Sequence, residues 1–444
     1  MAVRMRLTAG LVLAASMLLA AGCETPAPNG PDAPEDPAAP NTPAPPPGPS
    51  NPRSFDFSTS GSEAFDDWRR TFAARAQSSG RNPDAIVSVL DDLTPVTQQV
   101  STAAFEQAEF VKPIWDYAES AMSPTRIATG RTKLASLPDM FAEIERSYAP
   151  PREILASIWG MESSYGGFIG TFDAPAALAT QAAEGRRKDF NEDQLMAIMQ
   201  LIEDGSATRD QFRKASWAGA VGQTQFMPTT FLAHARDFDR DGRKDLWENT
   251  GDALASAANY LSASGWRKGE PWAVETTIPA GFDYSLGDGQ RKSVAAWKAL
   301  GLTPATAPAF ANSDILQAEL FLPAGSYGPA FLLFDNFNVI KRYNNADSYA
   351  LAVGLLADQL AGRPQLSRPW PTEITMLTPD QARELQSGLN DLGYSAGAVD
   401  GIIGRNTRKA LQGFQKDRGL VADGFPTVEM LTAVQTASVL GAEN

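Results

Sequence analysis

Carboxylates are the main chemical resource of this sequence: 52 aspartates and glutamates stand against one histidine, His234, and one cysteine, Cys23. A Ser-His-Asp or Cys-His nucleophilic site would have to be built on His234, and a thiol site on Cys23 as well. Intrachain disulfides are impossible, and zinc centres of several His and Cys ligands cannot be assembled. What remains is proton transfer by carboxylates, hydrogen bonding by hydroxyls and amides, and the binding of a hard cation. Glu162 stands out by its position. Pro150-Pro151 open a helix whose Ile154, Leu155, Ile158 and Trp159 form an apolar stripe, and the same face carries Glu162. Desolvation there disfavours the ionised form. So does a place near a helix C-terminus, which Gly166-Gly167 signal. A carboxyl that keeps its proton near neutral pH is what general acid catalysis demands. Spacing alone admits a second use, a glutamate buried against an arginine for structure.

A second acidic group follows the EF-hand loop pattern. Asp237, Asp239, Asp241, Asp245 and Glu248 fall at its carboxylate positions, Gly242 supplies the sharp turn and Arg243 a carbonyl. Asp252 is an alternative closing ligand to Glu248. Such crowding of like charge is relieved by a cation, so the expectation is a structural calcium ion that serves stability. The plainer alternative is an acidic surface turn. No cofactor is expected for catalysis.

Several elements must position these groups. Helical patterns dominate from Phe57 to Leu360, with helices readable at Asn191–Glu203, Asp252–Ser264 and Ala346–Leu360. Trp272 to Phe321 instead mixes Val-Glu-Thr-Thr-Ile with turn signals such as Gly287-Asp288-Gly289, which predicts a small strand-containing lobe. After a proline-containing connector, Leu377 to Val434 forms a compact helical unit with stops at Gly393 and Gly419. Its Asp400-Gly401 and Asp423-Gly424 repeat one turn, the mark of a short duplication.

The N-terminal part reads as targeting. Arg4 and Arg6 precede an apolar run, Leu7 to Leu19, too short for a comfortable bilayer span. The run ends in Leu19-Ala20-Ala21-Gly22-Cys23, which resembles a bacterial lipobox, with Cys23 the acylation point and Glu24 in keeping with an outer-membrane address. Twelve of the 32 prolines lie between Thr25 and Arg53, so this stretch reads as an extended tether. The expected organisation is a signal peptide at 1–22, a lipidated cysteine and linker at 23–54, a catalytic domain at 55–365 and a small domain at 372–440. The formal charge of -14 disfavours nucleic acid as a partner. An anionic polymer would have to be met by local basic residues.

Five collinear motifs sharpen the reading. Ile158-Trp159-Gly160-Met161-Glu162-Ser163-Ser164-Tyr165-Gly166 is followed by Gly185-Arg186-Arg187-Lys188-Asp189-Phe190. Then come Ser216-Trp217-Ala218-Gly219-Ala220-Val221-Gly222-Gln223-Thr224-Gln225-Phe226-Met227-Pro228, Asn259-Tyr260-Leu261 and Asn336-Phe337-Asn338-Val339-Ile340-Lys341-Arg342-Tyr343-Asn344. Together they resemble the membrane-bound lytic transglycosylase B family over residues 60–362. Residues 399–420 resemble the three-helix peptidoglycan-binding domain, although Arg405 stands where proline is common. The resemblance implies a mainly α protein: a lysozyme-like α+β catalytic domain with its small strand lobe, then the three-helix domain. It implies non-hydrolytic cleavage of the β-1,4 bond between N-acetylmuramic acid and N-acetylglucosamine in peptidoglycan, giving 1,6-anhydromuramoyl ends. Glu162 would be the single acid and base; Asp173, Glu184 and Asp189 lie nearby in sequence, but the family pattern assigns no second catalytic carboxylate.

For substrate binding the residue types are suited as follows. Ser163, Ser216, Gln223, Gln225 and Asn338 offer neutral donors and acceptors. Tyr165, Tyr260 and Tyr343 offer flat apolar faces. Arg186 and Arg187 would meet lactyl or peptide carboxylates, and Gly219 and Gly222 would let backbone approach a sugar. Implied partners are glycan strands, a lipid membrane through Cys23, and cell-wall synthesis proteins; the implied location is the periplasm, at the outer membrane. A hydrolytic muramidase and a non-catalytic wall-binding lipoprotein are the alternatives.

Overall fold

A computed structural model describes residues 54–105, 107–287, 289–306 and 314–442. The leader, Cys23 and the proline-rich stretch lie outside the described residues. Helices account for most of the rest. A large apolar core gathers side chains from nearly every helix between Glu63–Ser78 and Asp347–Leu360, including Phe72, Trp115, Phe141, Trp159, Leu195, Phe231 and Leu356. Among the described residues no helix is long and apolar enough to cross a membrane.

Two helices matter most. Arg152–Ser163 begins after Pro151, whose fixed φ suits a helix start. Every residue from Ile154 to Ser163 is buried, so the amphipathic stripe is the visible part of a helix enclosed on all sides. Asp347–Leu360 packs along it, and Ser157 Oγ donates to Val353 O at 2.7 Å to pin the pair. The other helices expected from sequence appear at Lys188–Glu203 and Thr250–Ala263, shifted by two or three residues at their starts.

The strand lobe is a five-stranded antiparallel sheet in the order β2-β4-β5-β1-β3, where β1 is Ala273–Thr277, β2 Arg291–Ser293, β3 Thr303–Pro304, β4 Gln317–Phe321 and β5 Ala330–Leu333. It therefore extends beyond the predicted limit at Phe321. The central register pairs Val274 with Leu332 and Leu332 with Leu320. These alternate residues cover a separate small core around Val294, Trp297 and Phe334.

The C-terminal unit is three helices, Pro379–Asp391, Arg405–Asp417 and Val428–Ala442. Its duplicated turns have one geometry. Gln386 donates to Asp400 Oδ1 (2.9 Å) and accepts from Gly401 N (2.8 Å). Gln415 does the same with Asp423 Oδ1 (2.9 Å) and Gly424 N (2.8 Å). Gly401 and Gly424 lie at φ +82° and +66°, and Cβ atoms there would meet the backbone of Pro379 and Arg408. The unit is docked: Asp423 Oδ2 accepts from the backbone N and Oγ of Ser326, and the Phe425 ring lies against Trp115 and Tyr327.

Candidate active site

Glu162 occupies the last turn of its helix and is fully buried. The helix stops at Ser163, earlier than the glycines suggested. Ser164 (φ 51°) and Tyr165 (φ 62°) take the left-handed conformation in succession, at a cost of about 1–2 kcal/mol per residue. Side chains hold this strained exit in place. Ser163 Oγ donates to Gln223 O (2.5 Å) and accepts from Gly166 N (2.9 Å). Tyr165 donates to Arg126 O at 2.9 Å, and its ring lies so close to Gly160 that a Cβ there would sit 2.6 Å from it.

Tyr349, on Asp347–Leu360, donates its hydroxyl to Glu162 Oε1 at 2.5 Å. Tyr343 and Tyr117 also lie close enough to feel the charge of Glu162. Burial drives the proton affinity of all three far above the usual phenol range, and the nearby Glu162 carboxylate adds to it. Tyr343 donates to Thr224 O at 3.2 Å and meets Tyr260 edge-on at 5.5 Å. Burial also pushes Tyr260 up to about 12. The hydroxyls of Tyr349, Tyr343 and Tyr260 are therefore fixed donors; burial at a helix C-terminus favours the protonated carboxyl, and the Tyr349 hydrogen bond pulls the other way.

The residues expected from sequence divide into two groups. Tyr260, Tyr343, Ser216 and Gln225 are buried within the same body of structure as Glu162. Ser216 accepts from Ala220 N (3.0 Å), and Tyr260 donates to Arg342 O (2.7 Å). Gln225 donates to Ile169 O and Gly222 O while its Oε1 is a buried acceptor without a hydrogen-bond partner among the described residues. Ser163, Tyr165 and Gln223 serve as braces. Gln223 accepts from Trp159 Nε1 (3.0 Å) and donates to Trp247 O (3.1 Å). Asn338, Arg186 and Arg187 are exposed. Arg186 pairs with Glu184 at 3.5 Å, and Arg187, at φ 42°, lies 3.9 Å over the Phe190 ring. The expectation for Gly219 and Gly222 is corrected: they make room for protein, since Cβ atoms there would strike the Leu178 side chain and Leu246 O. Of the neighbouring carboxylates, Asp173 is held bidentately by Arg209 (2.6 and 2.7 Å).

Sequence reasoning missed Tyr349, Tyr117 and Glu109. Glu109 is a second buried carboxyl, 5% exposed, that accepts from Asn344 Nδ2 at 3.1 Å. The two tyrosines carry no motif, and in a buried helix a tyrosine reads as core.

In the acidic loop, Asp237, Asp239 and Asp252 bring carboxylate oxygens within 4.8 Å of one another. Asp252, the third of these, is buried at the start of the Thr250–Ala263 helix. Burial raises its proton affinity, and Asp239 and Asp237 add to this. Asp241 and Asp245 accept from the loop's own backbone, at Arg243 N and Trp247 N. Glu248 is exposed.

An enclosed acid with a hydroxyl donor at its oxygen is suited to proton transfer, the chemistry of general acid and base catalysis. Comparison with known proteins gives the family. The transglycosylase SLT domain model matches residues 64–358, and the chain belongs to that family. The putative peptidoglycan binding domain model matches residues 378–434. Membrane-bound lytic murein transglycosylase B of Escherichia coli is 29% identical over 291 residues, covering 64% of this chain and 76% of that protein. A crystal structure of SltB3 from Pseudomonas aeruginosa in complex with NAG-anhNAM-pentapeptide is 42% identical with a TM-score of 0.78, covering 84% of this chain and all of that one. The Escherichia coli lytic transglycosylase Slt35 in complex with calcium is 28% identical with a TM-score of 0.56, over 66% of this chain and 92% of that one.

Proposed function

We propose that this lytic transglycosylase cleaves the bond between N-acetylmuramic acid and N-acetylglucosamine in peptidoglycan with Glu162 as its only acid and base. Family membership supports the reaction class, and the observation that carries the residue assignment is the buried Glu162 carboxyl under the Tyr349 hydroxyl. In the first step Glu162 gives its proton to the glycosidic oxygen. The muramoyl N-acetyl oxygen stabilises the cation that forms at C1. Glu162, now a carboxylate, takes the proton of the C6 hydroxyl, and that oxygen closes the 1,6-anhydro ring without water. Tyr349 holds the carboxyl in one rotamer through both steps and stabilises its ionised interval. A Glu162→Gln variant keeps the shape and the acceptor for Tyr349 but has no proton to give. Its turnover of purified sacculi falls by about 10³-fold or more while its melting temperature stays near the parent's. Appreciable residual cleavage would refute the assignment.

The finer points of the reading are proposals as well. Asp237, Asp239 and Asp252 would hold a calcium ion that ties the loop to the start of the Thr250–Ala263 helix and takes no part in the chemistry. Millimolar calcium then raises the melting temperature of the parent and leaves that of Asp252→Asn unmoved; equal shifts in both would remove the site. Acylation of Cys23 would anchor the protein to the outer membrane, as the Leu19–Cys23 motif suggests. Exposed Arg186, Arg187 and Asn338 would meet the polar periphery of the glycan and its peptides, and the C-terminal unit would keep the enzyme on the wall. Cell-wall synthesis proteins are proposed partners in the same compartment.

A further inference from the structure

The mechanism above leaves one buried ionisable group unused. Glu109 lies on the short helix Ala108–Val111, against the start of Asp347–Leu360 and beside Ile114–Ala121. It makes two contacts with one segment: its Oε1 accepts from Asn344 Nδ2 (3.1 Å), and its backbone oxygen accepts from Ser348 Oγ (2.7 Å). Tyr349, which donates to Glu162, is the next residue after Ser348. On the other side lies Tyr117, which feels the negative charge of both Glu109 and Glu162.

Three atoms of this cluster, Glu109 Oε2, Tyr117 Oη and Asn344 Oδ1, are buried without hydrogen-bond partners among the described residues. Such atoms are few in a folded protein, and three of them grouped around one carboxyl call for an explanation beyond packing. A carboxyl kept only to brace the segment would be better satisfied. We propose that Glu109 is a positioning residue for the reaction, a second buried carboxyl that seats the Asn344–Tyr349 segment and acts on Glu162 through Tyr117 and Tyr349.

Two like charges in one dry region oppose each other's ionisation, so an ionised Glu109 favours the protonated acid at Glu162. The other groups facing the cluster are Arg126, which opposes the effect at Tyr117, and the neutral phenols of Tyr343 and Tyr349. Lys112 lines the groove toward the C-terminal unit, and Asp347 is paired with Lys341 at 2.7 Å. Burial raises the proton affinity of Glu109 itself.

This inference rests on Glu162 being the proton carrier. The test uses the full chain and follows turnover of sacculi across pH. Glu109→Gln keeps the acceptor for Asn344 and removes the charge. Its alkaline limb of kcat/KM moves down by about half to one pH unit, with kcat lowered about tenfold and KM within about twofold. Glu109→Asp keeps the charge and leaves the limb at the parent's pH. A Glu109→Gln profile that superimposes on the parent's, or an identical shift in Glu109→Asp, overturns the proposal. Should Glu109→Gln not fold, a ¹³C-carboxyl titration of the parent decides: Glu162 titrating in two coupled steps supports it, and one independent step overturns it. An active Glu162→Gln would instead sink the catalytic assignment, whatever Glu109 does.

Discussion

In the C-terminal unit, Gln386 and Gln415 each close an Asp-Gly turn by giving one hydrogen bond and taking another, and each aspartate also caps the residue after its glycine. Around Glu162, by contrast, buried acceptors and a hydroxyl on Glu109, Tyr117, Asn344 and Gln225 have no hydrogen-bond partner among the described residues. The Gln415 turn is about as buried as the Glu162 region, whereas Asp400 of the Gln386 turn is exposed. One saturates its polar atoms and so defines a shape; the other keeps unused hydrogen-bonding capacity next to an acid and so is prepared to act on something. Buried polar groups that are fully satisfied rigidify a fold, whereas open ones cost stability and each calls for an explanation.

That contrast can be broken by exchanging the expected effects. Tyr349→Phe deletes one hydroxyl from the active region and lowers kcat by about 10- to 100-fold, with little change in melting temperature. Were it instead to unfold the protein and spare turnover, the Glu162 region would be scaffold like the turns. Gln415→Ala deletes a saturating side chain. It destabilises the C-terminal unit by about 2–3 kcal/mol and weakens retention on sacculi, while cleavage of short soluble glycan fragments is unchanged. Gln386→Ala, whose Asp400 partner is exposed, gives a smaller loss of the same kind. Calorimetry beside a soluble-fragment assay separates these outcomes.

The legibility of the sequence follows the same division. Glu162 could be found because the periodicity of one helix aims it inward, and the Asp-Gly turns could be paired because their chemistry is local. Five motifs in order carried the fold class, and the strand and turn signals between Trp272 and Phe321 carried the strand lobe. Tyr349 escaped because it meets Glu162 across 187 positions of chain, and no spacing within its own helix reports that. Glu109 joins Asn344 across 235 positions. The helix stop was misplaced for a related reason: Ser164 and Tyr165 adopt left-handed backbone only because Gln223 and Arg126, distant in sequence, hold them. Gly219 and Gly222 showed their need for space but not what fills it.

The most direct test weighs the products. Sacculi digested by the full-length enzyme are resolved by mass spectrometry, with Glu162→Gln as the matched control. If the buried carboxyl delivers a proton and then reclaims one from C6, the muropeptides end in anhydro sugars one water lighter than hydrolysed ends, and the control releases none. Reducing, hydrolysed ends from the parent, or anhydro ends from the variant, would contradict it.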